Sequence, residues 1–250
     1  MDTPLDRLWP EPQSGLDDEA VLSTYAFPEG PWLRMNFVAS LDGAVTRDGR
    51  SGGLGGSADG RVFALLRRPA DAILVGAGTL RTEGYDAMRL DPESVAWRTA
   101  RGMPEHPVLA LLSHRLDLDP SSALFADAPV TPIIYTTSDA PAESRARLSE
   151  VAHVVPVGQD AVDPHRVRED LADRGLLHVH AEGGPHAFGT FLAADAVDEL
   201  CLTVAPVLLA GDAGRIAAGP PAGVDMRPAA VLRGGDELLL RHVRAPRTTP

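Results

Sequence analysis

Lysine is absent from the 250-residue chain, so all 23 basic residues are arginine. Without lysine the protein can form no Schiff base with a carbonyl substrate and can hold no pyridoxal phosphate through an imine. It also cannot build a P-loop, whose lysine contacts the phosphates of a nucleotide. Any phosphate must therefore be bound by arginine, by hydroxyl groups or by backbone N–H groups.

Cysteine, positive charge and long apolar runs are scarce as well. Cys201 is the single cysteine, which excludes an intrachain disulfide and a zinc site built on cysteines. The formal net charge of -12 argues against nucleic acid and anionic membranes as partners. No run approaches the roughly 18 apolar residues of a transmembrane helix, and the acidic start has no signal-peptide pattern. We therefore expect a cytoplasmic protein.

Alternating strand-like and helix-like segments make up most of the chain. The predicted strands are 32–39, 72–75, 107–112, 130–136, 152–156, 176–180, 199–205, 229–233 and 237–243. The predicted helices are 61–68, 92–101, 142–150, 162–174 and 185–194. Because this alternation is typical of parallel sheets covered on both faces, we predict an α/β fold with a mostly parallel sheet. The last three strands have no helix between them, so the sheet should end in an antiparallel C-terminal hairpin.

The domain organisation follows from composition. Residues 1–29 are rich in Pro, Asp and Glu, and we predict an irregular N-terminal lead-in with one short helix near residues 17–23. We predict that residues 30–250 form one domain, because no break in composition divides them and no internal repeat is present. A glycine-rich segment at 48–60 is either a linker or a loop that approaches a ligand, and it could close over a bound group as a lid.

Glycine or hydroxyl residues follow several predicted strands. These segments are Ser40 to Gly43, Gly76 to Thr79, Ser113 to Arg115, Thr136 to Ser138 and Glu182 to Pro185. In open α/β sheets, ligands bind beyond the carboxyl ends of the strands. Each segment alone is ordinary turn chemistry, but the five together favour a dinucleotide site. Backbone N–H groups would contact the pyrophosphate, and Ser113 with Arg115 would contact a ribose phosphate.

Several standard site motifs are not matched. Arg81 stands where the third glycine of a Rossmann fingerprint would be. His178 and His180 alternate along a predicted strand, and His186 lies nearby. No cysteine or cluster of carboxylates completes a tetrahedral set with them, so we expect no metal.

Four segments resemble the reductase domain of the bifunctional riboflavin-biosynthesis deaminase/reductase, the pyrimidine reductase branch of the dihydrofolate-reductase-like fold. They are NFVASLDG at 36–43, DAILVGAGT at 71–79, EGGP at 182–185, and VDEL at 197–200 with Ala205-Pro206. The resemblance covers roughly residues 30 to 245. It implies a three-layer α/β/α homodimer that binds NADPH. Members of this family reduce the ribosyl group of a small molecule, a ribosylamino-pyrimidinedione phosphate of riboflavin biosynthesis, to a ribityl chain.

The resemblance also implies roles for individual residues. The cofactor-binding residues would be Gly76, Gly78, Thr79, Gly183 and Gly184, with Ser113 near the 2′-phosphate. Arg81 is interpreted either as a further phosphate ligand or as a solvated helix residue. Asp42 and Glu182 would lie near the nicotinamide and the substrate as the catalytic residues, with Asp42 as the first candidate for the proton donor. The substrate-binding residues would be Asn36, Ser40 and Glu83.

Two departures from the riboflavin pattern leave alternatives open. Asn36 stands where these enzymes usually have lysine, and Glu83-Gly84-Tyr85 replaces their Asp-Asp-Pro or Asp-Asn-Pro. The first hypothesis is an NADPH-dependent reductase that transfers a hydride to a C=N or C=O carbon of the riboflavin precursor. The alternatives are a reductase of a different pterin-like or carbonyl substrate, and a nucleotide-binding protein of the same fold without catalysis.

Overall fold

A ten-stranded sheet runs through the molecule in a computed structural model, which describes residues 3–246. The strands are β1 (Leu5–Trp9), β2 (Trp32–Ser40), β3 (Ala72–Gly76), β4 (Val108–Leu112), β5 (Ile133–Thr136), β6 (His153–Pro156), β7 (His178–Ala181), β8 (Glu199–Ala205), β9 (Met226–Gly234) and β10 (Glu237–Arg244). Their order across the sheet is β1-β9-β10-β8-β2-β7-β3-β4-β5-β6. The helices are α1 (Asp18–Thr24), α2 (Ser57–Arg67), α3 (Ala77–Glu83), α4 (Pro92–Thr99), α5 (Ala123–Ala126), α6 (Ala142–Leu148), α7 (Pro164–Asp173) and α8 (Pro185–Ala193).

The direction of the strands divides the sheet into two parts. From β8 to β6 every neighbouring pair is parallel. From β8 towards β1 every pair is antiparallel, and β9 and β10 form the C-terminal hairpin. The predicted mixed sheet with an antiparallel end is confirmed.

The alternation of side chains along β3 shows why the fold has three layers. Leu74 belongs to a core cluster that includes residues of α7 and α8. Ile73 and Val75 point to the opposite face, where they pack with residues of α5 and α6. Successive residues of a strand face opposite sides, so an unbroken apolar strand requires cover on both. None of the helices in the described range is long and apolar enough to cross a membrane.

The N-terminal segment corrects one prediction. An irregular lead-in is wrong for Leu5–Trp9, which forms β1 and pairs antiparallel with β9 at the edge of the sheet. The segment reads LDRLW, which is too short and too polar to show a strand pattern, and its pairing partner lies more than 200 residues away in the chain. The predicted short helix is present as α1. The boundary at residue 30 stays a prediction, and residues 1–2 and 247–250 lie outside the described residues.

A buried ionic cluster joins the N-terminal segment to the centre of the sheet. The Glu199 carboxylate on β8 accepts hydrogen bonds from Arg34 Nε at 2.7 Å and from Trp32 Nε1 at 2.8 Å, both on β2. It also accepts one from Arg241 Nε on β10 at 3.0 Å. The side chains of Arg34 and Glu199 are fully buried. The two arginines also donate to backbone carbonyls at the end of α1, those of Thr24, Tyr25 and Ala26.

We predict that Glu199→Gln lowers the free energy of unfolding by about 3–5 kcal/mol, because it leaves buried guanidinium charge uncompensated. Urea denaturation followed by circular dichroism measures this loss. Arg233→Ala is the matched control, since it removes an ion pair with Asp6 in which Arg233 is 55% exposed, and such surface pairs contribute about 0–1 kcal/mol. Equal losses in the two variants would contradict the role of the buried cluster.

Candidate active site

A cavity of about 680 Å³ opens beside the carboxyl-terminal half of β2. Its strand wall consists of Asn36, Phe37 and Val38. Its helix wall consists of Asp59, Phe63 and Arg67, which follow one another at intervals of four residues along one face of α2. Residues four apart lie above one another on a helix. The size is in the range of small-molecule sites, which is about 300–1,000 Å³.

Arg67 and Glu182 form an ion pair in the wall of this cavity. Arg67 Nε and Nη2 donate to the two carboxylate oxygens of Glu182 at 2.5 and 2.7 Å. The Tyr85 hydroxyl donates to the same carboxylate at 2.8 Å. The guanidinium carbon of Arg67 also lies 4.5 Å from the centre of the Phe63 ring. Planar two-point pairing of this kind holds both side chains in one orientation.

The protonation states in this group follow from its burial. Burial alone would lower the pKa of Arg67, but the neighbouring Glu182 raises it overall. Burial, together with the Glu182 charge, raises the pKa of the Tyr85 hydroxyl. Arg67 is therefore a cation and Tyr85 a neutral hydrogen-bond donor at physiological pH.

The glycine-rich segment forms part of the cavity wall. Glu83 Oε1, at the end of α3, accepts hydrogen bonds from Ser51 N at 2.9 Å and from Ser51 Oγ at 3.0 Å. Ser51, Gly52, Gly55 and Gly56 line the cavity. The segment is therefore a loop beside the site and not a linker between domains.

Two glycine turns meet at the carboxyl ends of β3 and β7. Gly76 N donates to Gly183 O at 2.8 Å. Gly183 has a φ of +94°, and a Cβ on it would lie 3.2 Å from the Phe37 ring. A Cβ on Gly184 would lie 2.3 Å from Thr79 Oγ1. A larger residue at Gly184 would therefore displace Thr79, and the two turns form one closely packed cradle.

The structure brings together some of the predicted site residues. Five of them line the cavity: Asn36, Thr79, Glu83, Glu182 and Gly184. Gly76 and Gly183 lie next to them in the packed turns, and Gly78 is exposed in α3 with open space around its Cα. The remaining four predicted residues also lie outside the cavity lining: Ser40, Asp42, Arg81 and Ser113.

Asp42 has a structural environment that argues against the role of proton donor. Its carboxylate accepts hydrogen bonds from the Ser40 hydroxyl and from the backbone N–H groups of Leu209 and Ala210. The bond from Ser40 is the largest of the effects that lower the pKa of Asp42 to about 2. The residue is therefore an exposed carboxylate near neutral pH, and it ties the end of β2 to the segment after β8.

Ser113 lies in a separate loop, which follows β4, and Arg81 on α3 contacts the same loop. Ser113 is buried, and its hydroxyl accepts a hydrogen bond from Leu116 N at 3.1 Å. Arg81 Nη1 donates to the carbonyl of Asp117 in the same loop at 3.3 Å. Arg115 is exposed there. Ser113 thus shapes the loop, whereas the exposed arginines supply its positive charge.

The histidines of β7 differ from one another in environment. His180 is fully buried, neither ring nitrogen has a hydrogen-bond partner among the described residues, and burial lowers its pKa well below the ordinary value. The His178 ring stacks on Phe27 with centroids 4.7 Å apart. Between residues 3 and 246, no three His, Cys, Asp or Glu side chains cluster as a metal site would require.

Among the cavity residues that the sequence predictions missed are Asp59, Arg67, Tyr85 and Arg89. For Asp59 and Arg67 the signal was their spacing with Phe63, which places the three side chains on one helix face beside the buried Val62 and Leu66. Burial and the neighbouring Glu237 raise the pKa of Asp59, although a hydrogen bond with Thr203 lowers it in part. The pKa of Asp59 is therefore shifted upward, whereas that of Asp42 is shifted downward.

We predict that Asp42→Asn lowers the melting temperature at neutral pH and that this difference shrinks under acidic conditions. The folded-state pKa of Asp42 is depressed to about 2 from its ordinary 3.8. Its stabilisation is therefore present above about pH 4 and is lost as pH falls towards 2. Melting curves of both proteins across this range test the prediction, with Asp212→Asn, at an exposed loop position, as control. A difference that stays constant with pH would contradict it.

Comparison with known proteins adds to this geometry. The model of the RibD C-terminal domain matches residues 31–240. A Methanothermobacter thermautotrophicus protein named 2,5-diamino-6-ribosylamino-4(3H)-pyrimidinone 5′-phosphate reductase is 29% identical over 181 residues, 72% of this chain and 80% of that protein. The riboflavin biosynthesis protein RibD of Bacillus amyloliquefaciens is 27% identical over 183 residues, 72% of this chain but only 47% of that protein.

Among solved structures, a pyrimidine reductase-like protein from Corynebacterium diphtheriae superimposes with a TM-score of 0.82 at 26% identity. That match covers 91% of this chain and 99% of the other. The family match extends over most of the sheet, from β2 into β10, and includes both glycine turns. The chain belongs to the RibD C-terminal domain family.

Proposed function

We propose that the protein is an NADPH-dependent reductase of a ribosylaminopyrimidine 5′-phosphate of riboflavin biosynthesis. The observation that carries this proposal is the packed cradle of Gly76, Gly183, Gly184 and Thr79, which adjoins a cavity of substrate size. The names of the relatives supply the substrate class. The substrate is either the diaminopyrimidinone named for the Methanothermobacter protein or the pyrimidinedione implied by the sequence resemblance.

The residues of the cradle fit a dinucleotide. Gly184 is the N-cap of α8, and no side chain caps this helix end, so its first N–H groups are available for an anion. The missing Cβ atoms at Gly183 and Gly184 allow the turn to pack directly on Phe37 and Thr79. Open space beside Gly78 gives a bound group room to approach α3.

The bound cofactor would supply the hydride, and the protein would orient it and exclude water. The turns at Gly76 and Gly184 would hold its pyrophosphate and nicotinamide end through backbone N–H groups. Arg81 and Arg115, beside the loop that Ser113 shapes, would pair with a ribose 2′-phosphate and so favour NADPH over NADH. The loop fixed by Ser51 and Glu83 would shield the reacting carbon from solvent.

The substrate would lie along the α2 face of the cavity. The remaining lone pairs of Glu182 could accept hydrogen bonds from ribose hydroxyls, because Arg67 and Tyr85 already hold this carboxylate in place. Arg89 lines the cavity and is exposed, and it would bind the 5′-phosphate. Asn36 would present an uncharged amide to the substrate at the position where riboflavin reductases usually present the cation of a lysine.

We also propose a homodimer, as the sequence resemblance implies. Leu41 and Leu208 are 61% and 71% exposed and follow the ends of neighbouring strands β2 and β8. Such side chains are suited to an interface between two copies. Light scattering gives the mass in solution, and a monomer across the micromolar range would overturn this part of the proposal.

We predict that Gly184→Ala weakens NADPH binding at least tenfold, because the new methyl group must displace Thr79 from the cradle. Isothermal titration calorimetry measures the dissociation constant, and circular dichroism verifies folding. Gly223→Ala is the matched control, since a Cβ there meets no atom within 4 Å. Wild-type protein that binds neither NADPH nor NADH would refute the reductase proposal.

The reaction itself is tested by NADPH oxidation, followed by absorbance, with the diaminopyrimidinone and the pyrimidinedione phosphates in turn. We expect turnover with at least one of them and none with dihydrofolate. Arg89→Ala should raise KM for the phosphorylated substrate and leave KM for the dephosphorylated compound unchanged, since the arginine would contact only the phosphate. NADPH binding without oxidation of either pyrimidine would instead favour another substrate or a binding protein.

A further inference from the structure

We propose that Asp59 is the proton donor of this reduction, positioned by α2 in the wall of the cavity. The inference rests on the proposed function and assigns one chemical step to a residue of this chain. It replaces Asp42, whose exposed carboxylate is bound to the backbone of another loop.

The reduction needs a proton as well as a hydride. When the hydride adds to the carbon of the C=N or C=O group, a C–H bond forms and the π electron pair moves to nitrogen or oxygen. That atom must then take up a proton, here from the Asp59 O–H group, which is left as a carboxylate. NADPH is the reductant, and solvent returns the proton to Asp59 in the next cycle.

The position of Asp59 suits this step. It is the third residue of α2 and lines the cavity on the same helix face as Phe63 and Arg67. Eight residues of helix place it about 12 Å along the axis from Arg67, and therefore away from the Arg67–Glu182 ion pair. A Cβ on Gly55 would lie 2.0 Å from Asp59 Oδ2, so the carboxyl group packs directly against the backbone of the glycine-rich loop.

The groups around Asp59 favour its protonated form. Glu237 on β10 accepts hydrogen bonds from Gly56 N at 2.6 Å and from Asp59 N at 3.2 Å. The negative charge of Glu237 opposes a second charge on Asp59. Thr203, facing from β8, is uncharged, and its hydrogen bond with the Asp59 side chain acts in the other direction by lowering the pKa of Asp59 in part. Burial acts together with Glu237 to raise the pKa of Asp59 above its ordinary value of 3.8.

The other acidic and phenolic groups that line the described cavity are less suited to donate a proton. Glu182 is paired through both oxygens with Arg67. Glu83 accepts two hydrogen bonds from Ser51. Asp86 is exposed, and the Tyr85 hydroxyl already donates to Glu182. Asp59 is the carboxyl in this set that combines a raised pKa with a place in the wall.

The central test compares wild-type protein with Asp59→Asn. We expect kcat to fall about 100-fold or more, the size typical of a lost general acid, while the NADPH dissociation constant stays unchanged. The wild-type kcat should be constant at low pH and should decline as pH rises through the pKa of the donor. This decline should disappear in Asp59→Asn. Asp236→Asn, an equal charge change in the exposed β9–β10 turn, is the control.

A second readout does not depend on activity. The folded-state pKa of Asp59 is raised above 3.8, so its favourable contribution is complete below the unfolded-state pKa and is lost as pH rises through the folded-state value. Asp59→Asn should therefore gain stability relative to wild type as pH rises through that window. Melting curves follow this change, and carbon NMR of labelled aspartate gives the pKa of the carboxyl directly.

Gly55→Ala provides an independent check of position. Its methyl group must move the Asp59 carboxyl without altering its chemistry, so kcat should fall while NADPH binding and the Asp59 pKa signal persist. Suppose that wild-type protein oxidises NADPH with the pyrimidine, and that Asp59→Asn has the same kcat and the same decline of kcat with pH. The assignment of Asp59 is then refuted, while the proposed function stands. If wild-type protein does not turn over, the proposed function falls and the assignment falls with it.

Discussion

The buried carboxylate of Glu199 is the constraint on which the rest of the structure depends. A charge without access to water must be met by hydrogen-bond donors from fixed directions, and here those donors come from β2 and β10 on either side of β8. The same register that pairs Arg34 with Glu199 pairs Asn36 with Cys201 and Val38 with Thr203. The cluster thus aligns β2, which forms the strand wall of the cavity, with β8, which carries Thr203, the hydrogen-bond partner of Asp59.

Much of the fold could be predicted because the central strands are buried on both faces. Segments such as Ala72–Gly76 are continuous apolar runs, and the helices between them begin at recognisable caps such as Asp91 and Asp163. β1 could not be predicted in this way. Its stability comes from pairing with β9, near the other end of the chain, and the local composition of residues 5–9 does not indicate that pairing.

Apart from the residues that the family resemblance implied, such as Glu83 and Glu182, the site was predictable where glycine itself carries the information. Gly183 has a positive φ, and Gly184 lies too close to Thr79 to carry a Cβ, so the Gly-Gly motif directly indicates the turn. The local sequence around a carboxylate does not indicate its role in the same way. Asp42 lies in a recognisable turn motif, but its carboxylate accepts hydrogen bonds from backbone N–H groups. Asp59 lies in an ordinary helix, and its pKa is raised in part by Glu237, which is 178 residues away in the chain. Tyr85, in the segment where the chain leaves the riboflavin pattern, likewise gains its role through contact with Glu182.

The bond between Glu237 and the first turn of α2 has a consequence for how the protein is made. The start of this helix has no side-chain cap of its own and takes its carboxylate from the last strand of the sheet. A nascent chain can assemble the parallel strands early, since their contacts lie within the first 205 residues. The cavity wall, however, is complete only after β10 has left the ribosome, so a chain truncated before Glu237 would lack a finished site even where most of its sheet is folded.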